Sequence, residues 1–332
     1  MSKLFRTTLA KIKENKQNLD SGKPNCIPFG ENFQRLSTIL PGIIQGTNWV
    51  ITANSGVGKT KFAKAMFVLE PLNWLDKHLN DNPESKINIK INYFGLEESK
   101  EEFVTSVICH KLEEKFAITM DPLDLMSMYE KETVSEDLVS KIESLEEFFN
   151  KFFSHVDYID TISNPTGIYK YVRKYTQKVG THYYYNFITD KNKDNCITAD
   201  VYKKELDKQG KESLFYRQHA YSHYTPNNPD EYVINLVDHF SLLSPENNGT
   251  LHEAMTMMSA TYGRKQITKH YNHIFVNVQQ QTGGQEDEIY TNSGKKIIEK
   301  MKPSLSGLAD NKLTQRDKVR YFHVTICFIE II

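Results

Sequence analysis

Long apolar runs are missing from this 332-residue chain. No stretch approaches the roughly 20 residues needed to cross a bilayer. The opening "MSKLFRTTLAKIKENKQN" has no apolar core of the kind that marks a secretory signal. Cysteine is scarce as well. Cys26, Cys109, Cys196 and Cys327 are scattered, with neither metal-ligand spacing nor a disulfide framework. A soluble protein of the reducing cytoplasm, with no membrane partner, is the expectation. Net charge is also nearly absent. Lys and Arg number 41 against 42 Asp and Glu, so no global field draws the chain to nucleic acid and any such surface must be local.

What is present is alternation of strand and helix patterns. Residues 3–17 read as a helix with Leu4, Phe5, Leu9 and Ile12 on one face, ended by "DSGKPN". It either folds back on its own domain or docks on a neighbouring subunit. Strand patterns follow at 47–53, 87–99, 156–162, 231–243 and 273–281, and helix patterns at 59–72, 100–116, 138–153, 165–178 and 250–272. This order predicts an α/β domain whose mostly parallel central sheet is flanked by helices. Residues 1–22 form a separate linker-type helix and 23–332 the domain. A segment at about 179–230 breaks the rhythm and reads as a small inserted α+β unit. Eleven of the 18 tyrosines fall between 169 and 232. With the interleaved lysines they form either a base-stacking surface or the core of the insertion.

The chemistry is concentrated in "ANSGVGKT": Ala53, Asn54, Ser55, Gly56, Val57, Gly58, Lys59 and Thr60. It matches the phosphate-binding loop G-x-x-x-x-G-K-[ST] except at Ala53. The loop lies between a strand and a helix, the context such a loop requires. Backbone N–H groups at the helix start curl around phosphate oxygens. Lys59 reaches the β- and γ-phosphates, and Thr60 holds Mg²⁺. Ala53 is on the strand side, where a methyl need not meet phosphate. A nucleotide site of this type also needs a carboxylate near the metal. Asp238 ends the apolar run "VINLV", at a strand tip where ligands of open α/β sheets bind. Glu97 follows the strand "INYFGL" and is a candidate for orienting water, with Glu98 competing. Gln279 ends "IFVNVQ" and is placed to sense the γ-phosphate, with Gln280 and Gln281 as alternatives.

In order, "AxxxxGKT", "FGLEES", "VINLVDHF" and "VNVQQQT" resemble the motifs of DnaB-type hexameric replicative helicases, superfamily 4 motors with a RecA-like P-loop NTPase fold. The lead-in 27–53, "VDYIDTISNPTGIYKYVRKY" and "PSLSGLADNKLTQRDKV" resemble the same family, so the likeness covers most of 26–325. It implies a 5′-to-3′ type helicase that hydrolyses ATP with Mg²⁺. Lys59 and Thr60 would bind phosphate and metal, Glu97 would polarise the attacking water and Asp238 would fix the metal. Gln279 would couple the γ-phosphate to the DNA loops. It further implies a hexameric homo-oligomer on single-stranded DNA, working with other replication proteins. Lys295, Lys296 and Lys300 of the loop 282–303 would track the phosphate backbone.

Three departures stand out. No primase-interacting domain precedes the linker-type helix. The insertion is foreign to the familiar motor. Arg316 and Arg320 fall too early for the family's arginine finger and no arginine follows, which implies a truncated or diverged end or a weak ATPase. Within the insertion, Asp190, Asn192 and Asp194 resemble the start of a calcium-binding loop. Asn195 and Val201 replace its essential Gly and Glu, so a polar turn is expected. His219 and His223 would form a metal pair only on a helix, and no carboxylate or Cys supports one. Two further readings stay open: a recombinase-type or regulatory RecA-like ATPase, and a weakly active nucleotide-binding assembly module.

Overall fold

The computed structural model describes residues 3–53, 56, 58–126, 134–185, 196–198, 221–280 and 322–323. Five strands with apolar or alternating sequence lie side by side: β1 (Asn48–Ala53), β2 (Asn88–Gly95), β3 (Val156–Ile159), β7 (Glu231–Asp238) and β8 (Ile274–Gln280). With the two-residue β9 (Phe322–His323) they form one sheet in the order β3-β2-β7-β8-β1-β9. Every pairing in it is parallel, so all carboxyl ends emerge at one edge. The registers are tight there. Gly95 of β2 pairs with Asp238 of β7, and Ala53 of β1 with Gln280 of β8.

Strand period two sorts the side chains onto two buried faces. One face carries Trp49, Ile51, Ile91, Tyr93, Leu236 and Val276, which pack against Phe67, Leu75, Phe103 and Phe152. The other carries Phe94, Val237 and Phe275 against Ile168, Val172, Met255, Met258 and Ile267. Covering both faces explains the near-continuous apolar character of the strands. A polar line runs through the second face: Asn92 Nδ2 donates to Asn235 Oδ1 at 2.8 Å, with both residues wholly buried.

The helices include α1 (Lys3–Asp20), α2 (Gln34–Ser37), α3 (Lys59–Lys64), α4 (Glu70–Asp81) and α5 (Lys100–Phe116). Then come α6 (Pro122–Leu125), α7 (Glu136–Glu143), α8 (Glu146–His155), α9 (Pro165–Val179) and α10 (Leu251–Thr256). A π-helical turn, Ala65–Leu69, joins α3 to α4, and a longer one, Met257–His270, continues α10. The helix expected at 59–72 thus runs on to Asp81. Its π turn sits just before Pro71, which has no N–H to offer the preceding turn. The single helix expected at 138–153 is two. The chain turns at Ser144, whose hydroxyl donates to the Lys141 carbonyl, and Leu145 is wholly buried. The strand expected at 231–243 stops at Asp238 and gives way to a 3₁₀ turn, Phe240–Leu242.

Of the apolar residues of α1, Leu9 is half-buried and the others are open to solvent. Leu4, Phe5, Ile12 and Leu19 are exposed. Short polar contacts hold the helix's end, with Asn18 Nδ2 donating to Asn25 Oδ1 and Asn25 Nδ2 to the Asn15 carbonyl.

Directly after α9 the chain enters β4 (Gly180–Tyr185), which pairs antiparallel with β5 (Cys196–Thr198) and β6 (Tyr221–Pro226). One face of this small sheet packs on the main domain through aromatic and histidine side chains. His182 is hydrogen-bonded to Thr176 and lies 5.1 Å from the Tyr224 ring and 5.5 Å from Tyr271. His273 sits beside Tyr271 at 5.8 Å. The inward tyrosines Tyr184 and Tyr224 are therefore core residues. His223 lies on strand β6, stacked on Tyr183, and not on a helix. The calcium-loop residues Asp190, Asn192, Asp194, Asn195 and Val201, and His219, lie outside the described residues.

Burial keeps both inward histidines neutral. It lowers His182 to about 4, with Arg173 adding to the effect, and His273 to about 3, with His182 adding. An unfolded histidine takes up its proton near 6.5. The unfolded chain therefore binds more protons below that value, and stability falls as pH drops from about 6.5 toward 4. A His273→Asn variant is predicted to lose less stability over that interval, read as a shallower dependence of the urea midpoint on pH.

Candidate nucleotide site

Five chain segments meet at one cleft, at the edge where the parallel strands end. A cavity of about 600 Å³ is lined by Gly56, Gly58, Lys59, Thr60, Glu97 and Asp238, with Lys64, Glu98, His239 and Gln280 among its other wall residues. This is the size of a small-molecule site, placed where strand ends of α/β sheets hold ligands.

The loop enters from β1, whose last residue Ala53 is buried in the sheet. Gly56 and Gly58 have φ of 73° and 84°, the left-handed region that disfavours side chains. A Cβ at either glycine would meet nothing within 4 Å. Glycine there serves the backbone turn and leaves open space on the concave side. Lys59 and Thr60 open α3, so the helix start faces the cleft. Asn54, Ser55 and Val57 lie outside the described residues.

Asp238 is 2% exposed at the tip of β7. Thr60 Oγ1 donates to its Oδ1 at 3.3 Å, and the Tyr93 hydroxyl to its Oδ2 at 2.7 Å. Burial raises the Asp238 pKa, while the bonds from Tyr93 and Thr60 oppose the rise. Tyr93 is itself pushed up by burial and by the adjacent carboxylate. A threonine hydroxyl beside a buried carboxylate fits a hard divalent cation whose remaining ligands are water and phosphate oxygens. Among the described residues no cluster of three or more His, Cys, Asp or Glu side chains forms an all-protein metal cage. The donors present fit Mg²⁺ arriving with a nucleotide.

Beyond β2 the chain is clamped across the cleft. The Leu96 N–H donates to the Asp238 carbonyl at 2.5 Å, and the Tyr158 hydroxyl to the Glu98 carbonyl at 2.7 Å. Gly95 is required by the second clamp, since a Cβ there would lie 1.9 Å from the Tyr158 hydroxyl. The two adjacent glutamates separate. Glu98 is ion-paired with Lys64. Glu97 is exposed and lines the cavity. Gln279 is fully buried within β8, whereas Gln280 stands in the cavity wall. His239 next to Asp238 is kept neutral by burial; Glu97 opposes that shift and Lys59 adds to it. Lys295, Lys296, Lys300, Arg316 and Arg320 lie outside the described residues.

Sequence reading missed Tyr93, Lys64 and Tyr158. The hint for Lys64 was a lysine inside the apolar run "FAKAMFVL". Tyr93 and Tyr158 read as ordinary strand aromatics, and only the register of β2 against β7 and β3 gives them polar partners.

No protein-family model matches the chain, and no curated protein does. Solved structures do match. One, described as an ATPase domain, aligns at a TM-score of 0.59 and 16% identity, over 97% of this chain and 83% of that one. A DnaB-like replicative helicase, described with its interactions with primase, aligns at 0.51 and 15%. That alignment covers 95% of this chain, which spans 55% of the helicase's length. The chain has the α/β RecA-like fold of these helicase ATPase domains, as the order of its motifs led one to expect.

The buried carboxylate generates a prediction. Above its raised pKa, ionised Asp238 is a cost that only the folded state carries; below about 3.8 both states are protonated and the cost is gone. Asp238→Asn is expected to raise the thermal midpoint of the nucleotide-free protein at neutral pH. The gain should shrink as pH falls toward 3.8, as followed by circular dichroism.

Proposed function

We propose that this chain is a cytoplasmic ATP hydrolase that drives movement along single-stranded DNA, as the motor of a replicative helicase working in a hexameric ring. The observation that carries the reading is the convergence of Lys59, Thr60, Glu97 and Asp238 on one cavity, on a fold shared with helicase ATPase domains.

The glycine turn and the first N–H groups of α3 cradle phosphate oxygens, and Lys59 neutralises charge at the β- and γ-positions. Thr60 and Asp238 hold Mg²⁺, which when bound supplies further charge neutralisation on the phosphates. Glu97 accepts a hydrogen bond from the attacking water and orients it in line with the γ-phosphorus. Very little covalent work falls to the protein; position and electrostatics lower the barrier. Gln279 and Gln280 end the strand between β1 and β7. There an amide near the γ-phosphate relays its presence into the chain that follows, in which Lys295, Lys296 and Lys300 meet the DNA backbone. The exposed apolar residues of α1 support a helix that docks on the next subunit. Burying such side chains contributes about 1.5–3 kcal/mol apiece.

Lys59→Ala is expected to abolish ATP hydrolysis while the circular dichroism spectrum stays native; persistent hydrolysis would remove the site assignment. Glu97→Gln should bind ATP with near-native affinity and lose about 10²–10⁴-fold in turnover. Full turnover in that variant would transfer the role to Glu98. Single-stranded DNA should raise the wild-type hydrolysis rate, and no response to DNA would point to an ATPase that acts by assembly.

A further inference from the structure

Lys64 is only 5% exposed yet lines the nucleotide cavity, at the far end of the helix that Lys59 opens. A buried ammonium is costly unless it is paired. Its Nζ lies 2.8 and 2.9 Å from the two Glu98 carboxylate oxygens and 3.2 Å from Ser106 Oγ, above the Phe103 ring at 5.3 Å. Lys64 is therefore held by carboxylate, hydroxyl and ring together, and its charge is committed to Glu98.

Glu98 is in turn fixed at both its ends. Its side chain is on Lys64 and its carbonyl accepts from Tyr158. Two residues earlier the Leu96 N–H is bound to the Asp238 carbonyl. Only three residues span these anchors, and the one between them is Glu97. Its side chain has no anchor of its own among the described residues, so its placement follows from its neighbours. We propose that Lys64 and Glu98 are a positioning pair, which locks the segment 96–98 so that the Glu97 carboxylate faces the γ-phosphate end of the cavity. This rests on the ATPase reading above. Neither member touches the reacting atoms; both act through Glu97. The pair also removes the second glutamate from competition. Glu98 Oε2 accepts a hydrogen bond from Lys64, and Oε1, 2.8 Å from the same ammonium, is buried, so one of two adjacent acids is selected for chemistry.

The test uses the full chain with Lys64→Met, Glu98→Gln, Lys64→Arg and the double variant Lys64→Met/Glu98→Gln. ATP affinity is read by a fluorescent ATP analogue and turnover by phosphate release. Loosening a water-orienting group by about an ångström costs about 10²-fold in rate. Lys64→Met and Glu98→Gln should each lose kcat on that scale with analogue affinity within about twofold of wild type. The double variant should be no slower than the slower single variant, because all three lose the same lock. Lys64→Arg should restore most of the rate.

If Lys64→Met weakens analogue binding as much as turnover while Glu98→Gln changes neither, Lys64 contacts the nucleotide directly and the pair has no positioning role. Native kcat in both single variants overturns the inference as well. Should Lys64→Met strand Glu98 and fail to fold, Lys64→Met/Glu98→Met removes both charges together and must show the same loss of kcat. A wild-type chain that neither binds nor hydrolyses ATP would sink the functional reading itself, whereas active wild type with equally active variants sinks only the pair.

Discussion

The buried carboxylate of Asp238 ties together segments that lie far apart in sequence. One oxygen takes the hydroxyl of Thr60 from the helix after β1, and the other that of Tyr93 from β2. Its backbone carbonyl takes the N–H of Leu96. Remove these contacts and the loop, the glutamate segment and β7 have no common reference point. Each oxygen of this nearly buried group has a hydroxyl donor, which offsets part of the cost of taking it out of water.

That requirement explains the two-sided packing of the sheet. Holding a carboxylate out of water needs low-mobility walls, and the aromatic group Tyr93, Phe103 and Tyr158 supplies them on one face. The two tyrosines are also wired into the site through their hydroxyls. Tyr158 belongs to the packed core and also anchors Glu98, so core packing and site geometry cannot vary independently here. On the other face Asn92 and Asn235 cross the strands with their own hydrogen bond, and the inserted sheet docks through neutral histidines. Both are polar solutions to burial, and both depend on partner geometry more than on apolar area.

Much of this was legible in the residues. Strand and helix alternation gave the parallel α/β domain, and "GKT" with its flanking strand and helix singled out a loop that lines the cavity. Asp238 and Glu97 were singled out because each follows an apolar run, and parallel strands place their carboxyl ends together at the cavity. What escaped was whatever depends on register. Nothing in "INYFG" says that Tyr93 will reach Asp238, and nothing in "FAKAM" says that Lys64 will meet Glu98. Gln279 was preferred to Gln280, yet Gln279 is buried and Gln280 lines the cavity, because strand period alone leaves open which of two neighbours faces the cleft. The helix at 138–153 was drawn too long because periodicity does not register a local turn at Ser144.

The π turn between α3 and α4 has a consequence for how this helix tolerates change. An α-helix advances about 100° per residue, and the wider i→i+5 turn at 65–69 fits one residue more into about the same rotation. The extra residue is absorbed locally, so the helix keeps its phase on either side. Lys64 meets Glu98 before the turn, and Leu75 enters the core beyond it. Deleting one residue of the turn would tighten it to α geometry and leave both ends aimed nearly as before. A deletion in the α-helical stretches on either side has no such slack and would rotate one end against the other by about 100°.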